Sequence, residues 1–218
     1  MGGRMFRIIT VEREFGSGGG AIAAQIANRL GWKLWDRQLT CEIAARAKVT
    51  ESAVMMCDER LDSRFYRLAK TFFRGSYERS LPLTDSKVFD TDLMMSMMEQ
   101  ICAGIADEGN AVIVGRGSPF FLRGREDTFS VFTYASRTEK IRRLLALGKS
   151  QEECEDLVDN VDKDRMAYIK HYFNADWPTR SLYHMMINTV IGDECVISEI
   201  LHAMETLSAH KGEPALRR

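Results

Sequence analysis

The sequence predicts an α/β fold, a mostly parallel sheet covered by helices on both faces. Three observations carry this. A short β-branched apolar run, Arg7-Ile8-Ile9-Thr10-Val11, leads through a cluster of glycines into a helix-forming segment. A second run, Ala111-Val112-Ile113-Val114, has the length and composition of a fully buried strand. Strand-like and helix-like segments alternate through the rest of the chain, as parallel strands joined by helical crossovers require.

The elements follow in order. After the strand at 7–11 and the glycines, Ala21 to Leu30 places Ile22, Ile26 and Leu30 four residues apart on one helix face, and Gly31 supplies the stop. Trp32-Lys33-Leu34-Trp35 reads as the second strand, ending in Asp36-Arg37. From 38 to 104 the chain reads as helical, with helices at 40–48, 51–70 and 92–107 and a polar loop at 74–90 containing Gly75 and Pro82. The methionines of the third of these helices, Met94, Met97 and Met98, are expected to fill irregular core. Strands are expected at 111–114, 128–134 and 185–189. Helices are expected at 136–147, 152–172 and 194–208, followed by a frayed tail.

The bulk composition narrows the function class. The chain has 218 residues, 45% apolar and 28% charged, with a formal net charge of −1. That is ordinary globular usage, with no bulk field drawing the protein to nucleic acid or membrane, so any anion must be held by a local site. The five cysteines contain no C-x-x-C pair and read as buried free thiols. Together with the lack of a long apolar run at the N-terminal end, they suggest a cytoplasmic protein. The basic residues between Arg60 and Arg79 are expected to be mostly solvated.

The chemistry concentrates in Phe15-Gly16-Ser17-Gly18-Gly19-Gly20-Ala21. A glycine turn between a buried strand and a helix gathers backbone N–H groups around one point, and the helix N-terminus adds partial positive charge. Two phosphate-binding templates fit in part. Gly16, Gly18 and Ala21 satisfy the dinucleotide fingerprint, and Asp36 stands where a ribose-binding carboxylate belongs, which would imply an NAD(P)-dependent oxidoreductase. The P-loop signature G-x-x-x-x-G-K-[ST] fails literally, with Arg13 at its first glycine and Gly19 at its lysine. The local pattern leaves both open.

Several segments together resemble the cytidylate kinase-like family, relatives of the nucleoside monophosphate kinases. Gly16-Ser17-Gly18-Gly19-Gly20-Ala21 is similar to their loop G-S-G-K-G-T. Leu34-Trp35-Asp36-Arg37 stands where they open the monophosphate site. Val112 to Gly117 resembles their strand ending in Gly-Arg-Asp, and Phe132 to Ser136 with Glu139, Arg142 and Arg143 resembles a later strand and basic helix. Asp162, Asp164 and Arg165 resemble the arginine-bearing lid, and Ile187-Asn188-Thr189 their Ile-Asp-Thr. The order and spacing hold over roughly residues 6 to 205.

The resemblance implies a single P-loop-type three-layer α/β/α domain over 1–218, with an acceptor-binding helical insertion at 38–104 and a lid near 150–180. It implies transfer of the γ-phosphoryl of ATP, with Mg²⁺, to a nucleoside monophosphate such as CMP or a related small acceptor. On this reading Gly16 to Ala21 cradle the donor phosphates. Asp36, Arg37 and Arg116 form the acceptor site, and Arg165 with Arg142 closes over the transferring group.

The departures from the family are chemical. Its loop lysine and metal-holding Thr are here Gly19 and Ala21. Losing one strong transition-state contact commonly costs ~10²–10³ in rate. Arg13, just upstream, is the best replacement cation and Arg165 the second. The alternative is a nucleotide-binding regulatory protein that kept the fold and lost turnover. No metal ligand is assigned.

Overall fold

The computed structural model describes residues 6–36 and 91–210. The helices expected at 40–48 and 51–70, the loop at 74–90, Arg37, the basic residues from Arg60 to Arg79, Cys41, Cys57 and residues 211–218 lie outside the described residues.

Five strands form one sheet: β1 (Ile8–Arg13), β2 (Lys33–Trp35), β3 (Ala111–Val114), β4 (Thr128–Tyr134) and β5 (Met185–Asn188), in the order β2-β3-β1-β4-β5. Every pairing is parallel. The helices are α1 (Gly19–Leu30), α2 (Thr91–Glu108), α3 (Ser118–Phe121), α4 (Arg137–Ala146), α5 (Gln151–Phe173) and α6 (Asp193–His210), with short 3₁₀ turns at Arg180–Leu182 and Thr189–Ile191.

Alternation along β1 divides the core. Ile9 and Val11 face one side, where α1 (Ile22, Ile26) and α6 (Val196, Ile197, Ile200) cover them. Ile8 faces the other side with Ala111 and Ile113, covered by Met98, Ile101, Cys102 and Ile105 of α2. The described end of the predicted 38–104 insertion is thus a core layer packed on the sheet. Further along the same face, Phe132 packs with Phe120, Tyr168, Ile169 and Trp177. Deleting such a side chain, as in Ile101→Ala, costs about 2–5 kcal/mol.

Two local differences from the sequence reading matter for the site. β1 runs two residues further, through Glu12 and Arg13, because Glu12 is buried in spite of its charge. The helix after the glycines starts at Gly19, so two of the glycines are helical. Cys102 and Cys154 are free and buried, whereas Cys195 is free and exposed. Among the described residues no helix is long and apolar enough to cross a membrane.

Candidate functional site

The site is built at the carboxyl edge of the sheet, where parallel α/β folds place their ligands. β1 ends there at Arg13, and five residues, Glu14 to Gly18, carry the chain into α1. Gly16 and Gly18 take φ of 75° and 84°, a region open to glycine and costly for other residues. The loop folds on itself: the Ser17 hydroxyl donates to the Glu14 carbonyl at 2.8 Å and lies 3.2 Å from Thr133 Oγ1. This hydroxyl is buried, so Ser17 shapes the loop from within. Thr189 Oγ1 donates to the Ser17 carbonyl at 2.7 Å and pins the turn after β5 against it.

The first intrahelical bond of α1 runs from Ile22 N–H to the Gly18 carbonyl. Helix geometry leaves the N–H groups of Gly19, Gly20 and Ala21 ahead of it. Among the described residues no side chain caps this end, and its first turn has no acidic residue. Among the described residues nothing lies within 4 Å of a Cβ placed on Gly20, and Ala21 is exposed. The result is an open, positively polarised helix end.

Among the described residues, four cations surround the loop. Lys140, 8% exposed, packs its Cβ 3.0 Å from where a Gly16 Cβ would be. Its Nζ lies 2.7 Å from Glu14 and 3.1 Å from Asp162. Arg143 lies against Gly18, where any Cβ would strike its guanidinium. It also donates to the Thr189 carbonyl at 3.1 Å. Arg165, buried in α5, donates to the Arg13 carbonyl at 2.7 Å and to Asp162 at 3.0 Å. Burial first, and the neighbouring Arg13 second, lower its pKa to about 10. Arg13 itself leaves the end of β1 and reaches Asp36 at 3.8 Å.

Across the edge, β3 ends in Gly115-Arg116-Gly117, three consecutive residues at φ of 68°, 57° and 70°. Arg116 is the costly member, since an L side chain in the left-handed region loses roughly 1–2 kcal/mol. Beneath this turn Glu12 is buried. Its carboxylate accepts the Gly117 N–H and, at 3.3 Å, the Trp177 Nε1–H. Burial raises its pKa above the ordinary carboxylate value, against the pull of Arg13 and Arg165.

The family model that matches the chain, described as the cytidylate kinase-like family, covers residues 8–191. The chain belongs to the cytidylate kinase-like family. Two of the solved structures that share its fold align as follows. An uncharacterized protein from Eubacterium ventriosum ATCC 27560 aligns with TM-score 0.64 at 18% identity, covering 93% of this chain and 99% of that one. A gluconokinase from Sinorhizobium meliloti 1021 aligns with TM-score 0.51 at 14% identity, covering 96% and 97%. No curated protein matches the sequence.

The fold of this cytidylate kinase-like protein is therefore the P-loop kinase type of α/β fold, as its fold neighbours show. That removes the dinucleotide reading of the glycines. A dinucleotide fold sets β2 beside β1, whereas here β3 stands between them.

The structure brings Gly16 to Ala21, Arg13, Asp36 and Arg165 to one edge, with Arg116 on the turn that follows β3. It does not bring Arg142 to the loop: that side chain is 67% exposed and forks onto Glu139, whose pKa the pair lowers to about 2. Arg143, one residue on, takes the loop position. Arg37 lies outside the described residues. Lys140, Glu12, Trp177 and Thr133 were not singled out in the sequence. The alternation of β1 could have pointed to Glu12, that of β4 to Thr133 and the helical period of α4 to Lys140, while Trp177 carries no such signal.

Proposed function

We propose that this protein is a phosphotransferase that moves the γ-phosphoryl of ATP to a nucleoside monophosphate of the CMP type or a related small acceptor. The observation that carries this is the uncapped N-terminus of α1, set at the sheet edge and ringed by Arg13, Arg143 and Arg165. The N–H groups of Gly19, Gly20 and Ala21 would hold the donor phosphates. Val190 and Ile191, exposed in the turn that Thr189 ties to the loop, supply an apolar surface for the donor base beside Arg143. Arg116 and Asp36, with Arg37, would take the acceptor, and Arg165 would hold charge over the transferring group. Catalysis in this class is mostly positioning and charge neutralisation.

ATP fits the residues present. Magnesium fits less well: Ala21 carries no hydroxyl, the Ser17 hydroxyl is turned inward, and no cluster of three or more acidic, His or Cys groups stands ready among the described residues. The ion would be held mainly by nucleotide phosphates and water, as Mg²⁺ often is. Free, buried Cys102 and Cys154 support a cytoplasmic location.

The second reading, a nucleotide-binding regulatory protein, draws on the same Ala21 and on Gly19. One panel separates the two. Thermal shifts with nucleotides, with and without Mg²⁺, are expected to show stabilisation by ATP. A coupled assay over nucleoside monophosphates and small acceptors is then expected to show transfer to at least one. Stabilisation without transfer would favour the regulatory reading, and no stabilisation by any nucleotide would defeat both.

A further inference from the structure

Gly19 stands where the resembled kinases carry a lysine, and the structure shows why no side chain could begin there. A Cβ on Gly19 would collide with Thr133 Oγ1 and lie 2.8 Å from Arg13 Cβ. The pairing Arg13↔Thr133 puts both residues side by side at the ends of β1 and β4, on the face where α1 begins. The space over Gly19 is therefore filled by the Thr133 hydroxyl and the Arg13 side chain.

The far end of the same side chain lies over a second glycine. A Cβ on Gly115 would collide with Arg13 Nη1 and lie 3.4 Å from its Cζ. Arg13 thus spans from the start of α1 to the end of β3, bracketed by two glycines. Its side chain is 16% exposed, and among the described residues its ion pair is with Asp36 at 3.8 Å. Its backbone is fixed from the other side by Arg165.

We propose that Arg13 supplies, from the end of β1, the charge that a loop lysine supplies elsewhere, and that Gly19 is glycine because Arg13 and Thr133 together fill the room. The missing lysine is then a relocated cation, and restoring it would damage the site. This rests on the kinase reading. During transfer the bond from the γ-phosphorus to the bridging oxygen breaks and the bond to the acceptor oxygen forms. ADP keeps the bridging electron pair, and a phosphate acceptor gives up no proton at neutral pH. Arg13 makes no bond; it neutralises charge between the donor cradle and the Asp36–Arg116 edge. The second cation beside it, Arg165, has its pKa lowered by burial first and by Arg13 second, and it donates to the Arg13 carbonyl.

Calorimetry with ATP, ADP and AMP on the full chain tests this, alongside the transfer assay. Arg13→Ala is expected to weaken ATP by ten-fold or more while AMP changes less than three-fold, and to slow transfer by ~10²–10³. Arg13→Lys should recover part of both. Gly19→Lys should lower the melting temperature and leave ATP affinity no better, and in an Arg13→Gly background, which removes the Cβ that Gly19 faces, it should destabilise less. That double-mutant coupling reads the shared space without any ligand.

Normal ATP binding and turnover in Arg13→Ala would overturn the role of Arg13 alone. A folded Gly19→Lys protein with tighter ATP binding or faster turnover would overturn the exclusion. A wild-type protein that binds none of the three nucleotides would overturn the kinase reading and this role with it.

Discussion

Arg116 sits at φ 57° between two glycines at 68° and 70°, and nothing about an arginine side chain asks for that backbone. Replacing it with a third glycine relieves the strain, worth roughly 1–2 kcal/mol, against about 0.5–1 kcal/mol of added chain entropy. The backbone part of Arg116→Gly is therefore neutral to stabilising by about 1 kcal/mol, and urea denaturation reads this against the loss of the side chain's own contacts. On the kinase reading it should also weaken the acceptor ten-fold or more. A stability loss of several kcal/mol would make Arg116 a structural residue instead. The sequence showed Gly-Arg-Gly at the end of a strand but could not show that the arginine pays a conformational penalty. The same limit applies at Arg142 and Arg143. They are neighbours in a basic helix, yet the ~100° turn between successive helical residues sends one into solvent and the other onto Gly18. Only the packing of α4 decides which.

At the scale of elements, the glycine loop is bolted to two helices. Asp162 of α5 accepts the Phe15 N–H at 2.8 Å and Arg165 at 3.0 Å through one oxygen, and Lys140 of α4 at 3.1 Å through the other. Lys140 then returns to Glu14. Loop and helices must therefore move together or break these bonds. Asp162→Ala is expected to destabilise the protein by about 2–4 kcal/mol, because it leaves a buried guanidinium and a nearly buried ammonium short of charge. It should also speed amide hydrogen exchange in residues 14–20 more than in β3 or β4. Equal exchange in the loop would mean that α5 does not hold it. The elements themselves were legible. The strands at 111–114 and 128–134 stand residue for residue as predicted, because an apolar run bounded by turns is read directly from hydrophobic pattern. β1 was cut short at Val11 because Glu12 and Arg13 look like loop residues. A buried charge at a strand end is set by tertiary partners, here Trp177 and the Gly117 N–H, which lie over a hundred residues away.

At the scale of the whole molecule, that buried charge links the ligand edge to stability. Glu12 is central in the sheet's edge, with β3 and β4 flanking β1, and burial holds its pKa above the usual 4.5. An acid with a raised folded pKa keeps its proton longer in the folded state than in the unfolded chain. Its contribution is fully present below 4.5 and is lost as pH rises through the raised value. Carboxylates with lowered pKa act in the opposite sense: Asp127, held by Arg125, and Glu139, held by Arg142, contribute above their ordinary values and fail as pH falls. Wild type is thus squeezed from both sides, and Glu12→Gln removes one of them. Glutamine retains an oxygen to accept from Trp177 Nε1–H and Gly117 N–H, but has no charge to bury. Denaturant midpoints measured from pH 4 to pH 9 are expected to show the variant gaining on wild type as pH rises, then levelling once Glu12 is fully ionised. The acid-side loss should be the same in both proteins, since it comes from other carboxylates. A difference that shrinks with rising pH would mean that Arg13 and Arg165 stabilise an ionised Glu12 more than burial penalises it. In that case the charge at the base of the site would be a net support for the two arginines.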